Sequence, residues 1–332
     1  LVTGGEGFLG RHVVEALIRC RPAAQIRILD VYRSSIDRPP HVHAVVGDLT
    51  DRRSVEAACR GVTAIFHVAS LLTPDMAMAR RVNIDGTRHL LAAAEACGVR
   101  RILFVSSATV VLNRTPIFDA DESMPYASNP PDPYIAFKAE AERLVMSWGK
   151  KPGRLVCSLR PSFIYGHGDR QVAPVAMQLA RSAFYRWGYG DGCVTNVIYV
   201  ENAAHALLRA EELLQPGSRI NGEIINIHDG YTINLYELAR NMAREIKLPH
   251  ADGLLQWRCP WLPVVIMVYL MHFISLLLYP LVSWTPPLRI RDILMADLPH
   301  TFSNEKAKQL LNYVPPIDPS EALHRTRPWL RK

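Results

Sequence analysis

The chain has 332 residues, 49% of them apolar and 21% charged, with a net charge of +7 and a pI near 9.2, so a sizeable core is within reach. Its basic residues are dispersed and not interleaved with aromatics on one face, which argues against nucleic acid and leaves an anionic membrane surface as the partner for that charge. Cys20, Cys59, Cys97, Cys157, Cys193 and Cys259 contain no Cys-x-x-Cys pair, which argues against a metal site and a disulfide framework and for reduced, mostly buried thiols.

The chain opens inside what reads as its first strand, without a methionine or a signal-like segment, and so looks trimmed at the front. Leu1 and Val2 end that strand, and Thr3-Gly4-Gly5-Glu6-Gly7-Phe8-Leu9-Gly10 turns it into a helix through Ile18. Gly4, Gly7 and Gly10 allow a sharp turn, a close backbone approach to a pyrophosphate and tight packing of helix on strand. Phe8 and Leu9 belong to the same cofactor-binding turn. The second strand, Gln25 to Asp30, ends in an acid twenty residues beyond Gly10. A carboxylate there accepts both hydroxyls of an adenosine ribose and repels a 2′-phosphate, so NAD is favoured over NADP. Arg33 nearby leaves some NADP use open.

Pro39-Pro40 breaks the chain, and a third strand over His41 to Gly47 leads into Asp48-Leu49, placed to meet the adenine. Asp48 also reads as an N-cap for a helix over Asp51 to Cys59, and the two roles are compatible. The fourth strand, Ala64 to Ser70, is a continuous apolar run suited to a parallel strand covered on both faces. Its small end residues, Ala69 among them, leave room for the cofactor. Arg81 to Thr87 leads into a helix through Cys97, with Gly98 as its C-cap. A fifth strand runs from Arg101 to Ser107. This alternation predicts a doubly wound parallel sheet with its ligand crevice at the carboxyl ends of the strands.

Asn83, Ser107 and the pair Tyr134 and Lys138 fall at that edge. Tyr and Lys at i and i+4 share one helix face. An ammonium beside a phenol lowers its pKa toward that of a general base for an alcohol, and a serine hydroxyl can hold the substrate oxygen.

Beyond Arg160 the pattern is irregular loops and helices, with a strand over Ile198 to Val200, a helix over Glu201 to Leu214 whose start faces the cofactor side, and a short helix over Phe302 to Tyr313. Between Arg258 and Arg289 there is no Asp, Glu, Lys or Arg. Apolar on every side, that segment is expected to be buried in protein or in lipid, with Trp261 and Trp284 suited to an interfacial belt. Its uninterrupted part, between Pro263 and Pro280, is somewhat shorter than the roughly 20 residues of a span.

These motifs, with Val82 to Thr87, Val105 to Val110, Arg160 to Gly166 and Tyr199 to Ala204, resemble the extended short-chain dehydrogenase/reductase superfamily across nearly the whole chain. The late apolar segment and Thr301-Phe302-Ser303-Asn304-Glu305-Lys306-Ala307 are similar to the 3β-hydroxysteroid dehydrogenase group and its sterol 4α-carboxylate relatives. The resemblance implies a Rossmann domain over 1–165 and a smaller C-terminal substrate lobe over 166–332, with 198–214 returning to the Rossmann sheet and 259–288 as an apolar membrane-associated segment. It implies Ser107, Tyr134 and Lys138 as catalytic residues, Asn83 holding a proton-relay water, Lys138 on the nicotinamide ribose, and Pro161 and Ile164 near the nicotinamide. It further implies NAD-dependent oxidation of a 3β-hydroxyl on a steroid or sterol, a homodimer, and the endoplasmic reticulum or another intracellular membrane facing the cytosol.

Two alternatives accompany that reading: a nucleotide-sugar epimerase or dehydratase on the same scaffold, and a non-catalytic membrane-attached dinucleotide-binding protein. Against the first, Val110-Val111-Leu112 replaces the usual Val-Tyr-Gly, and Phe137 stands where a serine usually precedes the lysine.

Overall fold

The computed structural model describes residues 1–33, 36–169, 187–189, 193–248, 251–254, 257–278 and 298–330. The first half alternates strand and helix: β1 (Val2–Thr3), α1 (Phe8–Cys20), β2 (Ile26–Asp30), β3 (Val42–Val46), α2 (Arg52–Cys59), β4 (Ala64–His67), α3 (Met76–Arg80), α4 (Gly86–Ala96) and β5 (Arg101–Val105). There follow β6 (Ile117–Ala120), α5 (Pro133–Gly149), β7 (Leu155–Pro161), β8 (Phe163–Tyr165), β9 (Trp187–Tyr189), β10 (Val194–Tyr199), β11 (Glu223–Ile227), β12 (Thr232–Asn234), β13 (Trp257–Cys259) and β14 (His300–Phe302).

Seven strands form one parallel sheet in the order β3-β2-β1-β4-β5-β7-β11. The order reverses between β1 and β4, and the crevice opens there at the strands' carboxyl ends. One face carries α1 and the helix Val200–Leu213, with Val13, Leu17, Leu103, Leu159 and Leu207 in a shared core. The opposite face carries α2, α4 and α5, with Val55, Leu90, Ala94, Val145 and Trp148 packed on Ile65, Ile102 and Phe104. Coverage on both sides explains the unbroken apolar runs of β4 and β5. Each fully buried Leu, Ile or Phe of these layers contributes about 1.5–3 kcal/mol.

The second half departs from the expected loops and helices. β10 is the hub of a second sheet, β12-β10-β14-β6, with β8 also paired to β10. Within the segment 198–214 the helix Val200–Leu213 packs back on the Rossmann sheet, while the added strand of that sheet is β11, pairing with β7 over five residues. Asn202 donates to Asp229 and to the Ile317 carbonyl, and Glu201 meets Tyr199 Oη and Arg325. Helix Glu305–Leu311 is shorter than expected because His300 to Phe302 pairs as β14. Among the thiols, Cys59, Cys157 and Cys193 are buried, Cys97 is half-buried and Cys20 is exposed.

Residues Trp261–Leu278 form an 18-residue helix, about 27 Å long at 1.5 Å per residue. The body of the protein leaves most of it uncovered: Leu276 is 73% and Leu277 62% exposed, while Val268 is 1% exposed. No helix among the described residues is long and apolar enough to cross a membrane. The rest of the expected segment, 279–288, lies outside the described residues.

Candidate active site

The glycine-rich turn is shaped by close approach. Gly4 has φ +69°, and a Cβ there would lie 2.7 Å from the Ala69 backbone; one on Gly10 would lie 2.0 Å from the Gly4 carbonyl. Gly7 caps α1 with no side chain bonded to that end and no acid in the first turn, so an anionic pyrophosphate beside Phe8 and Leu9 would meet donors and a favourable dipole. Asp30 accepts from Glu6 N–H on Oδ2 (2.9 Å) and from Tyr32 N–H on Oδ1 (3.2 Å). Each oxygen keeps a lone pair for a ribose hydroxyl. The residues present therefore fit a dinucleotide. Asp48 accepts from Thr50 N–H, and the cap of α2 is Asp51, through Arg53 N–H, so Asp48 is not the cap. Leu49 is buried under Gly86, its carbonyl held by His89.

From this turn a hydrogen-bonded chain runs across the sheet. Thr3 Oγ1 accepts from the N–H groups of Val68 and Ala69, both at 3.2 Å, and lies 2.9 Å from His67 Nδ1. With both lone pairs taken, Thr3 can only donate to His67, so the imidazole carries its proton on Nε2. Nε2 donates to Thr87 Oγ1 (3.0 Å), which donates to the Asn83 carbonyl (2.7 Å). Burial, with Lys138 as a lesser cause, lowers the His67 pKa to about 3. The ring is neutral at physiological pH.

Asn83 lies in one π-turn, Arg81–Asp85, between α3 and α4. Gly86 N–H reaches back five residues to Arg81. Such a bulge re-aims side chains. Asn83 is buried, donates from Nδ2 to the Leu71 carbonyl, and accepts on Oδ1 from Leu71 N–H (2.8 Å) and Ser70 Oγ (3.1 Å). Ser70 Oγ is also 3.3 Å from Tyr134 Oη. Asn83 thus reaches the tyrosine through Ser70.

Tyr134 enters α5 at its first turn, where Asp132 accepts from its N–H and Pro133 presets the helix. Lys138, one turn on and 3% exposed, donates to the Val105 carbonyl at 2.5 Å and lies 4.5 Å from the Phe104 ring centroid. Burial lowers its pKa to about 8, opposed by Glu142 one turn further along. Glu142 is itself buried and holds Arg160 and Ser158.

The expected lowering of the Tyr134 pKa does not occur in this arrangement. Burial raises it, the Ser70 hydrogen bond opposes the rise and Asp132 adds to it, because the Lys138 ammonium is turned to β5. Ser107 caps the short turn Ala108–Val111, its Oγ 2.8 Å from Thr109 Oγ1. The hydroxyl beside the phenol is that of Ser70, which sequence reasoning passed over as a small residue. Its position at the end of β4, at the switch point of the sheet, was the available signal. Pro161 ends β7, buried, and Ile164 lies half-buried in β8 opposite Ile198.

The profile of the 3-beta hydroxysteroid dehydrogenase/isomerase family matches residues 1–255. The chain belongs to that family. Its relatives include a "3-beta-hydroxysteroid dehydrogenase" of Mycolicibacterium neoaurum, 30% identical over 99% of this chain and 90% of that protein. The mouse "sterol-4-alpha-carboxylate 3-dehydrogenase, decarboxylating" is 27% identical over 98% of this chain and 89% of that protein. A "3beta-hydroxysteroid-dehydrogenase/decarboxylase" of Arabidopsis thaliana is 31% identical; the match covers 98% of this chain and 61% of that protein's length. Among solved structures, a dTDP-glucose 4,6-dehydratase of Streptomyces venezuelae with NAD bound superposes with a TM-score of 0.78 at 22% identity, over 99% of this chain and 96% of that one. The nucleotide-sugar enzyme shares the fold; membership in the 3-beta hydroxysteroid dehydrogenase/isomerase family rests on the sequence matches.

Proposed function

We propose that this member of the family oxidises a 3β-hydroxyl group of a steroid or sterol with NAD as acceptor. The observation that carries the reading is the Tyr134–Ser70–Asn83 chain at the crevice edge, in a chain that matches 3β-hydroxysteroid dehydrogenases over its full length. When bound, the nicotinamide supplies the hydride acceptor.

Tyr134 takes the proton of the substrate hydroxyl at its phenolic oxygen. Ser70, 3.3 Å away, turns its one O–H from Asn83 Oδ1 to that oxygen once it is ionised, while Asn83 keeps its two bonds to the Leu71 backbone. Ser107, at the end of β5, holds the substrate oxygen once its hydroxyl leaves Thr109. Lys138 supplies a buried positive charge below the tyrosine and a donor for the nicotinamide ribose. Asp30 takes the adenosine ribose, and its charge favours NAD over NADP.

The exposed apolar helix Trp261–Leu278 supports attachment to a lipid surface. A sterol substrate partitions into the same phase, which gives the helix a purpose.

The test is NADH formation by detergent-solubilised protein with a 3β-hydroxy-Δ5 steroid, a saturated 3β-hydroxysteroid, a 4α-carboxysterol and a UDP-sugar. The reading requires a signal with a sterol that falls by about 10²–10⁴-fold in Tyr134→Phe. Turnover of the UDP-sugar alone, or unimpaired Tyr134→Phe, overturns it.

A further inference from the structure

The corner where the adenosine ribose would sit holds an ion pair that the glycine pattern does not explain. Glu6, inside the turn, meets Arg38 with both carboxylate oxygens: Arg38 Nη1 is 2.9 Å from Oε1 and Nη2 is 2.7 Å from Oε2. Both side chains are largely withdrawn from solvent, at 5% exposure for Glu6 and 11% for Arg38. The backbone N–H of the same Glu6 donates to Asp30 Oδ2. Two carboxylates and one guanidinium are therefore gathered at the end of β2, and both arms of the guanidinium that face Glu6 are engaged.

We propose that Glu6 is a cofactor-specificity residue, which by clasping Arg38 beside Asp30 withholds from a 2′-phosphate the cation that could bind it. The inference rests on the NAD reading and deepens it. A 2′-phosphate adds a charge of about −1.5 to −2 to a corner whose own sum, over Asp30, Glu6 and Arg38, is negative. Arginine is the side chain suited to hold such a group, through a two-pronged contact. A fork-to-fork pair withdrawn from solvent keeps its geometry better than an exposed one, so a phosphate would have to displace a carboxylate that is tethered in place. A ribose 2′-hydroxyl brings no charge and needs only the free lone pairs of Asp30. Asp30 alone would repel the phosphate; Glu6 adds a second charge and removes the remedy.

Equilibrium titration of the detergent-solubilised full chain with NADH and with NADPH, followed by fluorescence of the reduced nicotinamide, reads the preference without turnover. In Glu6→Gln, which keeps the shape and the backbone N–H, the preference for NADH over NADPH should fall by about tenfold or more through tighter NADPH binding. Glu6→Gln/Arg38→Met should lose that gain, whereas Glu6→Gln/Arg33→Ala should keep it. Arg38→Met alone should bind NADPH more weakly than the wild type, because the Glu6 carboxylate is then unshielded. Measurable NADH binding shows that each variant is folded, and the Arg38→Met comparison stands if Glu6→Gln does not fold. An unchanged preference in Glu6→Gln, a gain that survives Arg38→Met or disappears with Arg33→Ala, or tighter NADPH binding by Arg38→Met alone overturns the inference. A wild type that binds NADPH as tightly as NADH overturns the NAD reading itself.

Discussion

Thr3 and His67, 64 residues apart in the chain, are joined by a hydrogen bond of 2.9 Å whose direction is set by the two backbone donors already on Thr3. The bond ties the end of β1 to the end of β4, the two strands that flank the switch point of the sheet. Through Thr87 it continues to the carbonyl of Asn83. The dinucleotide turn and the asparagine of the site therefore share one polar axis.

That axis makes His67 a source of acid sensitivity. Its folded pKa of about 3 lies below the ordinary value of 6.5, so the unfolded state binds the extra proton first as pH falls. The stability from the neutral ring is fully present above pH 6.5 and is lost progressively from there down through pH 3, by up to roughly 5 kcal/mol. Chemical denaturation at several pH values should show this slope in the wild type and a shallower one in His67→Gln. Equal slopes would remove His67 from the account.

Ser70 should matter to the pH dependence of turnover. Its hydrogen bond holds the Tyr134 pKa down against burial, so Ser70→Ala should shift the rising limb of kcat/KM to higher pH and lower the rate at neutral pH about tenfold. Ser107→Ala should lower the rate without moving the limb. A limb unmoved in Ser70→Ala would mean that this serine does not serve the phenol.

Lys138 carries its charge at a cost. With a folded pKa of about 8 against an ordinary 10.5, the penalty is fully present below pH 8 and is relieved as pH rises to 10.5. Wild-type protein without cofactor should gain roughly 3 kcal/mol across that window relative to Lys138→Met. The readout is the pH slope of the difference, which cancels the packing effect of the substitution.

The helix Trp261–Leu278 should govern partitioning. Leu270 and Leu277 are 55% and 62% exposed, so Leu270→Glu/Leu277→Glu leaves the protein core intact and penalises lipid contact by roughly 3 kcal/mol per residue at bilayer depth. Flotation with phosphatidylcholine/phosphatidylserine vesicles should move the wild type to the lipid fraction and leave the variant behind, with NADH binding preserved as the sign of folding. Equal flotation would overturn the lipid reading.

What could be read in the linear chain was what depends on spacing. Gly4, Gly7 and Gly10 declare a turn because a side chain at Gly4 or Gly10 would strike backbone, and the unbroken apolar runs of β4 and β5 declare strands covered on both faces. Tyr134 and Lys138 share a helix face by arithmetic. The second sheet was not legible in this way, because β10 finds its partners at 163–165, 232–234 and 300, and short strands paired over such separations leave little local periodicity.

By itself the sequence determined the family, the nucleotide-binding half and the tyrosine-lysine pair, since each is written in local residue intervals. Tertiary structure alone decided that Ser70 and not Ser107 touches the phenol, that Lys138 turns to Val105, and that Glu6 clasps Arg38. Those choices are made between groups 32 to 64 residues apart. A hydrogen bond or ion pair at that separation forms only when packing has removed competing water and brought the partners within about 3 Å.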